Sequence, residues 1–270
     1  MTEYRFLFLE LIGISLSSRR RLGHDAAMRP LLFAVIALVG CAEAGKQEIT
    51  GHGDGSIHVT DSSMVIPDAF VSHIDAPPGQ QTKTLDENSS DTIKLATSIA
   101  CSNGTTGFTR PNNYYRVFDP ATFGITTDFH VTQIGFQVEN CSSTAGGQVV
   151  TAKVGTYNGT PGTTITTGNM AVLATNAQVQ VPEIDLVGGS VNAPIMATIP
   201  AGKKVFIEID SPEGDAGTNA AFFMGVNTAA ETGFGYIMSS VSACGVTTPT
   251  NVTSVAGTQI SFLMTVTGTY

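Results

Sequence analysis

Tryptophan is absent from the 270-residue chain, basic residues are few, and charge of either sign is thin. Lys and Arg number 13 against 22 Asp and Glu, and charged residues make up 13%, about half the usual share of a soluble domain. The net charge of −9 argues against sequence-independent binding to phosphate backbones, which needs clustered Lys and Arg, so no nucleic-acid partner is expected. Without Trp, the best stacking ring for a sugar is missing. No Gly-x-Ser-x-Gly elbow, His-Glu-x-x-His pair or phosphate loop occurs, so no familiar catalytic set can be assembled. No ten-residue helical stripe is found either. What is abundant is Gly, at 29 residues, together with Thr, Val, Ala, Asn and Ser, a vocabulary of strands and turns. Hydrophobic residues, at 42%, suffice for a packed core and argue against a wholly disordered chain.

Residues 28 to 40 carry an export address. Met28-Arg29-Pro30 is a short basic start, and Leu31 to Gly40 is uncharged. Ten apolar residues span about 15 Å as a helix, too short for a bilayer that needs roughly twenty. Leu38-Val39-Gly40-Cys41 resembles a bacterial lipobox. That resemblance implies a diacylglycerol on the Cys41 sulfur, cleavage just before it, and an acylated N-terminus anchored in a membrane. Ala42, where Asp would signal retention, is similar to the outer-membrane class. Localisation is therefore expected to be the outer membrane or cell surface. Residues 1–27 hold their own apolar patch and Arg19-Arg20-Arg21. They read as an extension ahead of a true start at Met28 and are expected to stand outside the fold.

Beyond Cys41 the composition divides in two. The first 41 residues hold five basic and three acidic side chains, which leaves 8 and 19, a net charge near −11. From 41 to 90, Gly, Pro, Asp and Gln recur without a sustained apolar period, as expected of a flexible acidic tether. Its Asp75-Ala76-Pro77-Pro78 run resembles linkers behind lipoboxes in myxobacterial lipoproteins. From 91 to 270 alternation takes over. Phe129 and Val131 share one parity, while Ile134, Phe136 and Val138 share the other, which predicts a bulge near Gln133. Val150, Ala152 and Val154 alternate, as do Val205, Ile207 and Ile209, and Ile260, Phe262, Met264 and Val266. Shorter strands are expected at 114–119, 170–174, 177–181, 193–199, 220–227 and 234–240. Nine or ten antiparallel strands with one apolar face each predict an all-β fold, a two-sheet, jelly-roll-like β-sandwich.

Three cysteines remain once Cys41 is lipidated, an odd count for an oxidising compartment. One disulfide and one free thiol is the simplest arithmetic, with Cys101–Cys244 and Cys101–Cys141 both open. Asn112-Asn113-Tyr114-Tyr115-Arg116-Val117-Phe118-Asp119, Ile199-Pro200-Ala201-Gly202, Cys244-Gly245-Val246-Thr247 and the Met264 to Gly268 ending are similar to a β-sandwich accessory module of secreted multidomain bacterial proteins. The resemblance covers about residues 98–268. It implies a non-catalytic domain and favours the Cys101–Cys244 pair.

Candidate sites are few. Tyr114 or Tyr115 could offer a sugar platform with Arg116 beside them, although neighbours on a strand point to opposite faces. Asp210, Glu213 and Asp215 lie in a Gly-containing turn of the kind that binds Ca²⁺, while no cofactor is otherwise implied. His130 is expected to face away from the core. The leading expectation is a cell-surface lipoprotein displaying a non-catalytic binding or scaffold module for an envelope protein or glycan. The alternatives are a carbohydrate-binding module using Tyr114 or Tyr115, and an envelope hydrolase with an unrecognised carboxylate site.

Overall fold

The computed structural model describes residues 79–270 and, as backbone, the strand Tyr4–Phe8. The lipobox at Leu38–Cys41, the signal at 28–40, the start at Met28 and most of the tether lie outside these residues.

In chain order the strands are β1 (Tyr4–Phe8), β2 (Thr82–Leu85), β3 (Ile99–Asn103), β4 (Asn112–Phe118), β5 (Phe129–Ser142), β6 (Gln148–Tyr157), β7 (Met170–Val181) and β8 (Gly189–Ile199). They continue with β9 (Lys204–Ser211), β10 (Ala221–Met224), β11 (Val226–Asn227), β12 (Gly235–Met238), β13 (Thr250–Asn251), β14 (Ser261–Phe262) and β15 (Met264–Thr269), with one short helix, α1 (Val252–Ala256). Five strands form the first large sheet, in the order β10-β5-β15-β2 with β8 on the other edge of β5. Six form the second, in the order β13-β12-β4-β9-β6-β7. All pairings are antiparallel, and the fold is the expected all-β sandwich. The strands outnumber the expected nine or ten because some expected runs divide and because β1, β2, β3 and β13 fall where the sequence predicts no strand. Thus 220–227 is β10 and β11, divided at Gly225, whereas 170–174 and 177–181 fuse into β7.

The alternation in β5 explains how one strand serves the whole core. Its register with β8 shifts between Val131 and Gln133, and that with β15 shifts at the same place. The extra residue changes the phase, so Phe129, Val131, Ile134, Phe136 and Val138 all reach the interior. Val150, Ala152 and Val154 of β6 and Val205, Ile207 and Ile209 of β9 meet them from the second sheet. At about 1.5–3 kcal/mol for each fully buried large aliphatic side chain, this layer is the main source of stability.

Two expected boundaries move. The fold begins at least at Thr82, because β2 pairs with β15 from Leu85↔Val266 to Thr82↔Thr269. The segment Thr-Lys-Thr-Leu contains one apolar residue, too few to show a period, and so reads as tether. Residues 1–27 are not wholly outside, since the backbone of Tyr4–Phe8 runs antiparallel to β3 from Tyr4↔Asn103 to Phe8↔Ile99.

A polar cluster is buried within the sandwich around β4. Tyr114 and Phe118 of β4 face the core, and Arg116 lies between them with no exposed surface. Its guanidinium donates to Glu87 (3.4 Å), Asn88 Oδ1 (2.8 Å), Glu231 (2.7 Å) and the carbonyls of Phe262 and Gly233. A charge so deep must be fully paired to be tolerated. The pairing pins residues 86–88 onto the sandwich.

Candidate functional site

A groove of about 270 Å³ lies on the outer face of the first sheet. It arises from the same alternation that builds the core. With Ile134, Phe136 and Val138 inward, β5 presents Gln133, Gly135 and Gln137 outward. Gly135 stands in register between Asn192 of β8 and Thr265 of β15. A Cβ there would lie 2.6 Å from Thr265 Oγ1 and 3.5 Å from Asn192 Oδ1, so glycine is what leaves the floor open. Ser190 and Asn192 line one side, and Thr84, Asp86, Asn88 and Asp91 the other.

Hydrogen bonds set which atoms remain for a ligand. Gln133 Nε2 donates to Asn192 Oδ1 at 3.0 Å, which leaves the Asn192 amide hydrogens to donate. Gln137 Nε2 donates to the Asp91 carbonyl at 2.6 Å, which leaves Oε1 to accept and ties the 86–91 segment to the sheet. Asp86 Oδ1 accepts from the Asn88 backbone N–H (2.8 Å) and Nδ2 (2.9 Å). Asn88 Oδ1 in turn accepts from Arg116 and from Ser261 Oγ, each at 2.8 Å. The groove wall is therefore held by the buried Arg116 through one amide. Partial desolvation, then the neighbouring Asp86 carboxylate, raises the Asp91 carboxyl above its ordinary value. Among the described residues no Lys or Arg forms an ion pair with Asp86 or Asp91. The result is an array of carboxylate and amide acceptors facing amide and hydroxyl donors, suited to a polyhydroxylated ligand without negative charge.

The residues singled out by sequence lie elsewhere. Tyr114 has no exposed surface and packs edge-on against Phe262 with centroids 5.2 Å apart. Tyr115 is buried on the opposite face of β4, among Tyr157, Phe206 and Tyr236. Both faces of β4 are covered, so neither ring can stack on a sugar. Arg116 is likewise inaccessible and pairs with Glu87 and Glu231; Asp119 instead caps the turn Pro120–Phe123. The three carboxylates of the predicted Ca²⁺ turn are divided between two cations. Asp210 lies 3.6 Å from Lys153, whereas Glu213 and Asp215 lie 2.9 and 3.7 Å from Arg110. Among the described residues no group of three or more His, Cys, Asp or Glu could hold a metal ion. His130 is exposed on the outer face, 3.1 Å from Thr198 Oγ1.

Cys101 and Cys244 are disulfide-bonded, with Cα atoms 5.8 Å apart. Cys141 is a buried free thiol whose pKa burial pushes up to about 11, which suppresses the reactive thiolate. Sequence reasoning missed the groove because Gln137, Ser190 and Asn192 look like ordinary outward residues, and Asp86 and Asp91 fell into the expected tether or at its margin. The one available signal was Gly135, a glycine inside an otherwise alternating strand.

No family model and no curated protein matches the chain. Among solved structures it is similar to the cysteine protease and lectin-like domains of Cwp84, a surface layer associated protein of Clostridium difficile. Identity is 11% and the TM-score 0.43, over 69% of this chain and 35% of that one. The chain thus spans about a third of that structure.

Proposed function

We propose that this chain is a cell-envelope lipoprotein, anchored through Cys41, that displays a non-catalytic β-sandwich whose groove binds an uncharged glycan. The observation that carries the reading is the floor opened by Gly135, flanked by Asn192 and Thr265 and overlooked by Asp86 and Asp91. Vicinal sugar hydroxyls would donate to the carboxylates and accept from the Asn192 amide, while phosphate or uronate groups would be repelled. The lining carries no His, Cys or Lys, and its two carboxylates, Asp86 and Asp91, serve in this reading as hydrogen-bond acceptors for sugar hydroxyls. The one ring in the lining, Phe136, is buried in the core and offers no face to a sugar, which makes hydrogen bonding the main source of affinity.

The test is calorimetric titration and thermal shift of the chain against neutral and anionic oligosaccharides. A ligand at a hundredfold excess over its dissociation constant stabilises by about 2.7 kcal/mol. Asn192→Ala or Asp86→Ala should each weaken binding about tenfold, the effect of one lost hydrogen bond. Tyr115→Phe should leave affinity unchanged. Binding that ignores the groove variants, or that prefers anionic sugars, would overturn the reading.

A further inference from the structure

We propose that the outer edge of β3 is a strand-accepting site for an extended, aromatic-rich peptide segment of a partner protein, a site that Tyr4–Phe8 occupies in this structure. β3 belongs to neither large sheet. On one edge it is tied inward: Arg110 N–H donates to the Cys101 carbonyl (2.9 Å) and Asn103 N–H to the Phe108 carbonyl (2.9 Å), with Cys101 N–H on Asn112 Oδ1 (2.7 Å). Peptide groups of a strand alternate in direction, so those of Ala100 and Ser102 face the other edge, where Leu7 and Arg5 stand opposite them. That edge is preformed, because the Cys101–Cys244 disulfide fastens β3 at its centre. A rigid edge loses little conformational freedom when a strand is added, and main-chain hydrogen bonds supply the affinity. Ser102 also carries a buried hydroxyl without a hydrogen-bond partner among the described residues.

The occupant defines the ligand chemistry. Tyr-Arg-Phe-Leu-Phe is an extended segment rich in β-forming residues, joined to β3 by some ninety residues of intervening chain. The inference rests on the lipoprotein reading in one respect. Cleavage before Cys41 removes this strand and leaves the Ala100 and Ser102 peptide groups unpaired, an edge that natural proteins cover or fill. A segment of another envelope protein then takes the place of residues 4–8.

The probe is a fluorescent synthetic peptide of residues 2–10, titrated by anisotropy against the chain beginning at residue 41 with Cys41→Ala. Saturable binding is expected. N-methylation at Leu7, which removes a donor aimed at Ala100, should weaken it at least about tenfold; N-methylation at Phe6, whose N–H points away, should change it less than about threefold. The full-length chain should bind the peptide more weakly, since its own strand holds the site, and Leu7→Pro in the full-length chain should restore binding. No saturable binding to a cooperatively folding, disulfide-intact chain would overturn the proposal, as would equal losses from the two N-methyl groups. Acyl labelling of the full-length chain, with Cys41→Ala as control, reports separately on processing. If labelling fails while the peptide still binds Leu7→Pro chain, the lipoprotein reading falls and the strand site stands.

Discussion

Arg116 shows what a single buried charge does in this fold. It faces two carboxylates, Glu87 and Glu231, and reaches the groove wall through Asn88. Desolvation raises the carboxyl pKa of both glutamates; the Arg116 charge opposes this but does not overcome it. Removing the guanidinium would leave two acids buried without their cation, a loss of the kind that costs about 3–5 kcal/mol. Arg116→Met is expected to lower the unfolding free energy by that amount and to weaken ligand binding in the groove. Chemical denaturation with unchanged stability would contradict it. The same geometry explains why the Tyr-Tyr-Arg run, conspicuous in sequence, makes a poor surface site. One tyrosine and the arginine serve the interior, and the other tyrosine serves a second cluster on the far face.

Among the elements, β5 organises the molecule, and its middle is a fork. Gln137 N–H donates to the Leu263 carbonyl, Gly225 N–H donates to the Gln137 carbonyl, and Leu263 N–H donates to the Gly225 carbonyl. At this point β10–β11 and β14–β15 part company along one edge of β5, and the groove lies beside it. A Cβ on Gly225 would fall 2.9 Å from the Gln137 backbone, so three chains can meet only with glycine there. Gly225→Ala should destabilise by about 1–3 kcal/mol, the cost of overpacking, and should perturb Gln137 at the groove. A full thermal scan returning the parental midpoint would refute this. The bulge of β5 was legible beforehand from a change of parity between Val131 and Ile134. The fork was not, because it depends on three segments far apart in the chain.

At the scale of the whole molecule, the Cys101–Cys244 bridge spans a sequence separation of 143 residues. It ties β3 to the turn Ser242–Cys244, and closing so long a loop is worth about 4–5 kcal/mol through the unfolded state. Reduction should lower the unfolding free energy by about that much, measured in urea with and without reductant; no difference would mean the unfolded chain is already constrained. Acidity acts on the whole as well. Glu87, Glu139, Glu231 and Asp210 all have carboxyl pKa values raised, by burial first in each case. A raised folded-state pKa contributes stability that is present below the unfolded value and lost as pH rises through the folded one. The melting temperature should therefore climb as pH falls from 7 towards 5, and Glu231→Gln should flatten that climb. A midpoint that drops over this interval would reverse the assignment.

Sequence alone determined the all-β class, the bulge in β5, the outward His130 and, through resemblance, the disulfide pair. The first three follow from period-two alternation and turn residues, which are local properties of the chain. Tertiary structure decided the rest. It buried Tyr114, Tyr115 and Arg116, because β4 is covered on both faces. It separated Asp210, which pairs with Lys153, from Glu213 and Asp215, which share Arg110. It gathered Asp86, Asp91, Gln137 and Asn192, from three separate stretches of chain, around a floor left open by Gly135. Which outward residues share a groove is set by strand order and register between distant segments, and periodicity within a single strand carries no record of either.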